Sequence, residues 1–152
     1  MGGFELVGAS SIIVAREAAG IFPEVGSSAW RRLGPQLRDL LGRGARVDAG
    51  QEASARLTIS SAREELDEWL EAFDALMIPA AAGEAPPFDE GTVDSLYNRG
   101  LTALGLPCLS LPLCFGAVGL PIGVQLVARV GKDDLLLTIG KIMESVARRR
   151  RM

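Results

Sequence analysis

The side chains in this sequence that could support hydrolytic chemistry are serines and lysines. Two pairs of serines follow a glycine, one directly and one after an intervening alanine, and lysine occurs at only two positions. These residues are Ser10 and Ser11, Ser27 and Ser28, and Lys132 and Lys141. Because the sequence contains no histidine, Ser-His-Asp and Cys-His catalysis are excluded. The remaining nucleophilic routes are serine with lysine, cysteine with an unusual base, or an N-terminal nucleophile.

Both serine pairs are interpreted as structural. The first pair is expected at the start of a helix, where a serine hydroxyl caps backbone N–H groups, and the second pair in a loop. Neither lysine lies in surroundings that would desolvate its amine and make it a base. An independent small enzyme that uses one of these serines with one of these lysines is kept as the least favoured of three hypotheses.

Carboxylates and metal ligands give no stronger signal. Four acidic residues cluster on one predicted helix, at Glu64, Glu65, Asp67 and Glu68, and are interpreted as its solvated face. The lack of histidine argues against zinc and non-haem iron sites. Neither a GxGxxG motif nor a Walker phosphate loop occurs. The sequence therefore predicts no catalytic residue, no metal site and no cofactor-binding residue.

The elements that would position any site centre on Leu104–Arg129. No charged residue occurs between Arg99 and Arg129, a gap long enough for a membrane span. Several prolines and glycines would break such a helix, so we predict no membrane span. The stretch instead predicts two apolar strands, Cys108–Phe115 and Ile122–Ala128, joined by a glycine-rich turn. Strands that are apolar on both faces require helices on both sides.

The two cysteines, Cys108 and Cys114, are predicted to lie in one strand and on the same face. Their expected separation of about 20 Å is too large for a disulfide bond. We therefore expect buried apolar thiols in a reducing, cytoplasmic compartment, and we find no secretory signal at the N-terminus.

The rest of the chain predicts helices that cover these strands, and one more short strand. The predicted helices are 9–22, ended by Pro23, then 36–41, about 49–73, about 93–104, and a last helix from Asp133 or Asp134; the additional strand is 75–79. Asp48 and Gln51 have the spacing of an N-terminal capping arrangement. The order predicts an α/β fold, a mixed β-sheet core covered by helices, in a single domain over residues 1–152.

Two predicted helices carry an apolar stripe at helical spacing. In the long helix it comprises Ile59, Ala62, Leu66, Trp69 and Phe73, and in the last helix Leu136, Ile139, Met143 and Val146. The net charge of −3 and pI of about 5.0 argue against nucleic-acid binding. The basic run 148–151 is interpreted as a solvated tail at the end of the last helix.

Several motifs resemble the C-terminal part of the amidase signature family. FDALMIP at 73–79 is similar to the family's "DALLTPT" strand, and Asn98-Arg99 to its "FNR". LGLPCLSLP at 104–112 and GLPIGVQLV at 119–127 follow in the family's order, before Asp134-Leu135-Leu136 of the closing helix. The resemblance is strong over roughly residues 73–146 and implies a partial amidase-signature fold.

Members of this family hydrolyse carboxylic amides with a serine nucleophile, a second serine joined by a cis peptide bond, and a lysine, and they need no cofactor. Those residues lie in the N-terminal part of the family's chains, and no stretch here matches their signature. The resemblance places only the vicinity of the substrate pocket in this sequence, at Ile78, Pro79, Ala80 and Asn98. The family's "TPT" is Ile78-Pro79-Ala80 here, without its two hydroxyls.

The resemblance thus implies the C-terminal portion of an amidase-type hydrolase that is inactive as an isolated chain. The alternative is a non-catalytic binding or interaction module that retained the amidase scaffold. Because buried-type strands with few partners leave a reactive sheet edge, one of two partners is expected. One is a missing N-terminal amidase half, and the other is a second copy that associates through the sheet edge.

Overall fold

The computed structural model describes residues 3–22, 26–91 and 95–149. It divides into two compact units, Met1–Ala62 and Arg63–Met152. The helices are α1 (Gly3–Ile21), α2 (Ser28–Arg31), α3 (Pro35–Gly44), α4 (Ala49–Leu70), α5 (Leu96–Leu104) and α6 (Asp133–Arg149), and the strands are β1 (Leu76–Pro79), β2 (Cys108–Phe115) and β3 (Pro121–Val127). A single domain over the whole chain stays a prediction.

The first unit is helical, and its packing depends on one glycine. Helices α1 and α3 pack against each other, and Gly44 at the end of α3 is buried. A Cβ atom at Gly44 would overlap the carbonyl oxygen of Ala15 and lie 2.9 Å from the Cβ of Ala19. Glycine is therefore required here for the close approach of the two helices. The predicted role of Pro23 in ending the first helix lies outside the described residues.

Helix α4 begins with the predicted capping arrangement. The Gln51 N–H donates to Asp48 Oδ1 over 2.8 Å, and the Asp48 N–H donates to Gln51 Oε1 over 3.0 Å. This reciprocal pair satisfies backbone donors that the helix itself leaves unpaired. The predicted start near residue 49 is therefore confirmed.

The predicted stripe on α4 is wrong at its C-terminal end. The helix stops at Leu70, and the side chain of that residue is fully buried. Trp69 and Phe73 are about half exposed, at 50% and 51%, and their rings contact each other with centroids 4.8 Å apart. The prediction assigned Trp69 and Phe73 to the inward face because both are strongly hydrophobic. In the structure the inward position at this end of α4 is occupied by Leu70 instead.

The three described strands form one antiparallel sheet in the order β1-β3-β2. Strand β3 lies in the centre, with Gln125 paired to Ile78 on one side and to Ser110 on the other. An irregularity in the register of β2 occurs between Pro112 and Cys114. The α/β prediction is confirmed, since a sheet lies together with helices in the second unit.

Helix α6 covers one face of this sheet. Leu126 on β3 and Leu136 on α6 are almost fully buried, and Leu109, Leu111, Ile139 and Met143 pack against them. Three of the four predicted inward positions of α6 are therefore confirmed. Val146, the fourth, is 46% exposed, so its predicted inward position is wrong. It follows Met143 by three residues, beyond the part of α6 that packs on the strands.

The opposite face is only partly covered, contrary to the expectation of helices on both sides. On β3, Val127 and Gln125 are buried, whereas their β2 partners on this face, Cys108 and Ser110, are exposed. After the irregularity in β2, Cys114 pairs with Ile122, which alternates to the same face as Leu126, so the prediction that both cysteines share one face is wrong. Their predicted burial is wrong, because β2 is an outer strand and no described helix covers this part of it. Both thiols are free.

Among the described residues, no helix has the length and apolar character needed to cross a membrane.

Candidate functional site

A cleft of about 610 Å³ opens beside the partly covered face of the sheet. Its lining comes from helix α5, the start of β2, the centre of β3 and the turn that leads into α6. The lining residues are Asn98, Thr102, Gly105, Leu106, Pro107, Cys108, Gln125, Val130, Gly131 and Asp133. The volume falls within the range of small-molecule binding clefts in proteins.

Helix α5 brings two polar side chains to this cleft. Asn98 and Thr102 are four residues apart and therefore lie on the same face of the helix. The Asn98 Nδ2 group donates a hydrogen bond of 3.3 Å to the carbonyl oxygen of Ala80, just after β1. Gly105 ends the helix in the left-handed conformation, with a φ of 64°, which only glycine adopts at little cost. The chain can then turn directly into β2.

Gln125 is the most unusual polar residue of the cleft. The residue is 6% exposed, and it lies at the centre of the sheet. Since Leu126 faces α6, the alternation along β3 places Gln125 on the opposite face. The side-chain hydrogen bonds between described residues do not include its amide, and the residue lines the cleft.

The Gln125 amide is not completely enclosed. Within the described part of the chain, no side-chain nitrogen or oxygen that is closed off from solvent lacks a hydrogen-bond partner. The amide atoms of Gln125 therefore keep some contact with solvent, and the residue lines the cleft. Complete enclosure of the amide without a partner would cost about 1–3 kcal/mol.

Sequence reasoning missed Gln125. A glutamine inside the apolar run IGVQLVA was the only available signal. The run itself shows neither that β3 is the central strand nor that this residue faces away from α6. Both facts come from the strand order and the register.

The predicted pocket residues are partly brought together. Asn98 contacts Ala80 through the hydrogen bond to its carbonyl oxygen. Ile78 is paired with Gln125 in the sheet, and so lies on the same face. Pro79 alternates to the face of α6 and is exposed there. Whether these four residues contact a substrate stays a prediction.

The serines have structural roles in the described parts of the chain. Ser10 and Ser11 lie inside α1 and not at its start, because the helix already begins at Gly3. The Ser11 hydroxyl donates to the Val7 carbonyl over 2.9 Å. Ser27 Oγ accepts from the Trp30 N–H over 3.1 Å and thus caps α2. The predicted cap position of the first pair is therefore wrong, whereas Ser27 does cap a short helix.

The lysines do not form a base within the described residues. Lys132 and Lys141 are both exposed, and no described side-chain hydrogen bond joins a serine to a lysine. Neither lysine therefore lies in the desolvated surroundings that would make its amine a base.

The acidic cluster on α4 forms an ion pair instead of a catalytic pair. Arg129 donates to both carboxylate oxygens of Asp67, over 3.0 Å and 2.7 Å, and lies 3.6 Å from the Glu71 carboxylate. The hydrogen-bonded Arg129 guanidinium lowers the pKa of the Asp67 carboxyl, and Asp67 in turn raises the pKa of Arg129. An acid held in its charged form in this way cannot act as a general acid near neutral pH.

The cleft can therefore bind but has no complete set of reacting groups. Its amide, hydroxyl and carboxylate groups suit a ligand that both donates and accepts hydrogen bonds. The one thiol in it, Cys108, donates to the Leu106 carbonyl oxygen over 3.5 Å. The described residues contain no group of three or more metal-ligating side chains.

Comparisons with known proteins relate this chain to one enzyme family. The chain matches the model of the protein family described as Amidase over residues 14–137. It is 37% identical over 89 residues to a glutamyl-tRNA(Gln) amidotransferase subunit of Picosynechococcus sp., a match that covers 54% of this chain and 18% of that protein. It is 32% identical over 108 residues to the 6-aminohexanoate-cyclic-dimer hydrolase of Pseudomonas sp., a match that covers 55% of this chain and 22% of that protein.

Solved structures extend the likeness over nearly the whole chain. A crystal structure of an amidase superposes with a TM-score of 0.79 and 26% identity, covering 92% of this chain and 35% of that one. A 6-aminohexanoate cyclic dimer hydrolase complexed with substrate has the same fold, with a TM-score of 0.71 at 21% identity, and covers 95% of this chain. The chain spans about a fifth of the length of the two curated relatives and about a third of these solved chains.

Proposed function

The chain belongs to the amidase family, and we propose that it forms the C-terminal scaffold of an amidase-type hydrolase whose catalytic residues come from polypeptide outside these 152 residues. On this proposal the isolated chain does not hydrolyse amides. The complete assembly hydrolyses a carboxylic amide bond.

One observation carries the proposal. Some 92% of the chain superposes on only 35% of a solved amidase, so an entire second part of such a fold has no counterpart here. The internal chemistry agrees, because Ser11 and Ser27 bond to backbone groups and both lysines are exposed. A nucleophile and its base must lie within hydrogen-bond reach of each other.

We further propose that the pocket residues named from the sequence border the substrate site of the complete assembly. The hydrogen bond from Asn98 to Ala80 supports this, because it fixes α5 against the end of β1. Ile78, on the same face as Gln125, would supply an apolar wall. Pro79 has less support, since it is exposed on the other face. The free thiols support a reducing, cytoplasmic location for the protein.

The experiment is a complementation assay for hydrolysis of a simple aromatic amide. The purified chain is measured alone and then with the portion of the Pseudomonas 6-aminohexanoate-cyclic-dimer hydrolase that lies outside its match with this chain. We expect no turnover above the uncatalysed rate for either part alone, and turnover when the two are mixed. The partner with its candidate nucleophilic serine replaced by alanine is the control, and it should restore nothing.

Two results would contradict the proposal. Turnover by the chain alone that is lost in Lys132→Ala or Lys141→Ala would support the independent small enzyme. Tight binding of the partner without any turnover would favour the alternative, a non-catalytic interaction module, for which the open cleft and the Gln125 amide that faces it are the supporting observation.

A further inference from the structure

We propose that the open face of the sheet is the docking surface for the polypeptide that completes the amidase fold. The Gln125 amide forms hydrogen bonds with a main-chain peptide group of that polypeptide. We call this surface the Gln125 face and define it by Cys108 and Ser110 on β2, Gln125 on β3, and the adjoining cleft. This inference rests on the proposed function, because it assigns a surface to the partner required there.

The first argument is the chemistry of Gln125. A carboxamide offers one acceptor and two donor protons, and the same pair of functions occurs in every peptide group. The two can form two hydrogen bonds at once. The residue is already only 6% exposed, yet its amide bonds to none of the described residues, and the residue lines the cleft. A partner segment that entered the cleft would satisfy the amide with little further desolvation of the glutamine.

The second argument is the composition of the exposed positions beside it. Cys108 and Ser110 are exposed on this face of β2 but carry no charge. Outer strands that remain in water usually protect themselves with charged side chains, lysine above all. Depletion of charge is instead the signature of the centre of a protein interface. The Gln125 face therefore has the composition of a surface that becomes buried.

The third argument concerns which partner fits. About two thirds of each solved chain of this fold lies outside the part matched here. A second copy of this chain is a poorer fit, because it would present the same recess and leave both recesses empty. A protruding segment from a different polypeptide fills the cleft and reaches Gln125.

The test uses the two native thiols as reporters. Cys108 and Cys114 are the chain's only cysteines; Cys108 lies on the Gln125 face, whereas Cys114 pairs with Ile122 on the opposite face. The rate of their modification by N-ethylmaleimide is measured with and without the hydrolase portion used for complementation. Variants Cys108→Ser and Cys114→Ser assign each rate to one thiol. We expect Cys108 to react at least about tenfold more slowly in the complex, as a buried interface group does, and Cys114 to serve as the internal comparison.

A substitution at Gln125 tests the hydrogen bond itself. Gln125→Met keeps the length of the side chain and removes its amide. We expect the dissociation constant for the hydrolase portion to rise about fivefold, the loss of one net hydrogen bond. The urea midpoint of the isolated variant should not fall, because the amide bonds to no described residue of its own chain. Gln36→Met, at an exposed position of α3, is the matched control and should change neither quantity.

The outcomes separate this inference from the proposed function. Restored hydrolysis with Cys108 reacting at its free rate would overturn the inference and leave the function standing. Protection of Cys108 without hydrolysis would support the inference and overturn the function. Protection that depends only on the concentration of this chain would assign the face to a second copy and overturn the inference.

Discussion

Replacement of Gly44 by alanine should destabilise the first unit strongly, although alanine is the better helix former. The backbone of Gly44 is not left-handed, so alanine meets no conformational strain. Its Cβ would instead overlap the Ala15 carbonyl oxygen, which belongs to the backbone of α1 and cannot rotate away. The two helices must therefore move apart. Overpacking of this kind costs about 1–3 kcal/mol, and a clash with backbone belongs at the upper end of that range.

Gly42→Ala is the matched control for this prediction. Gly42 lies two residues earlier in α3, and the nearest atom to its Cβ position is Arg46 Nη1 at 3.8 Å. Alanine there should raise stability by up to about 1 kcal/mol, the difference in helix propensity. The two variants make the same chemical change in the same helix, and only the close approach to α1 differs between them.

The assay is urea unfolding followed by far-ultraviolet circular dichroism. With a slope of about 2 kcal/mol per molar urea, a loss of about 3 kcal/mol lowers the midpoint by about 1.5 M. Gly42→Ala should leave the midpoint unchanged or raise it slightly. If Gly44→Ala unfolds at the same urea concentration as Gly42→Ala, the close packing of α1 on α3 is refuted.

Two further predictions concern polar contacts. Asp48→Ala removes the acceptor of the Gln51 N–H at the start of α4 and should lower the free energy of unfolding by about 1 kcal/mol. Asp48→Ser can still cap the helix and should retain most of that stability. Urea unfolding of both variants measures the difference. Asp67→Asn tests the ion pair with Arg129, which lowers the pKa of Asp67. Because the native pKa is depressed, the contribution of this carboxylate is present above the unfolded value of about 3.9 and is lost as the pH falls through the native value. The wild type should therefore be the more stable at neutral pH and lose that advantage progressively in acid, and a difference that persists at the acid end of the titration would contradict the assignment.

Local signals in the sequence predicted most of the elements. The spacing of Asp48 and Gln51 located the start of α4, because a capping box needs only neighbouring residues. Prolines and glycines bounded β2 and β3 correctly within the long uncharged stretch. The first helix is predicted from residue 9, yet α1 begins at Gly3 and passes through Gly8. An isolated glycine in a helix costs only about 1 kcal/mol, which the rest of the helix can offset.

The candidate site was less predictable, because it depends on long-range order. The family motif indicates Asn98, but its partner, the carbonyl oxygen of Ala80, is 18 residues away. Gln125 becomes significant only because the pairing places β3 between β1 and β2. The predicted burial of Cys108 and Cys114 fails for the same reason. An apolar strand pattern shows that a face suits burial, but it does not show which polypeptide buries it.

The two faces of the sheet therefore differ in kind. The face toward α6 buries Leu126 against Leu136, and Gly140 on α6 lets Leu109 approach closely, so this side forms a core within the chain. The Gln125 face combines a largely buried glutamine that lines the cleft with exposed, uncharged side chains. If this sheet were selected only for the stability of the chain, we would expect an apolar residue in place of Gln125. Replacing such an amide by an apolar group of the same shape changes stability little. The persistence of Gln125 is expected if the face is selected for association, so that stability resides mainly on the α6 side and function on the other.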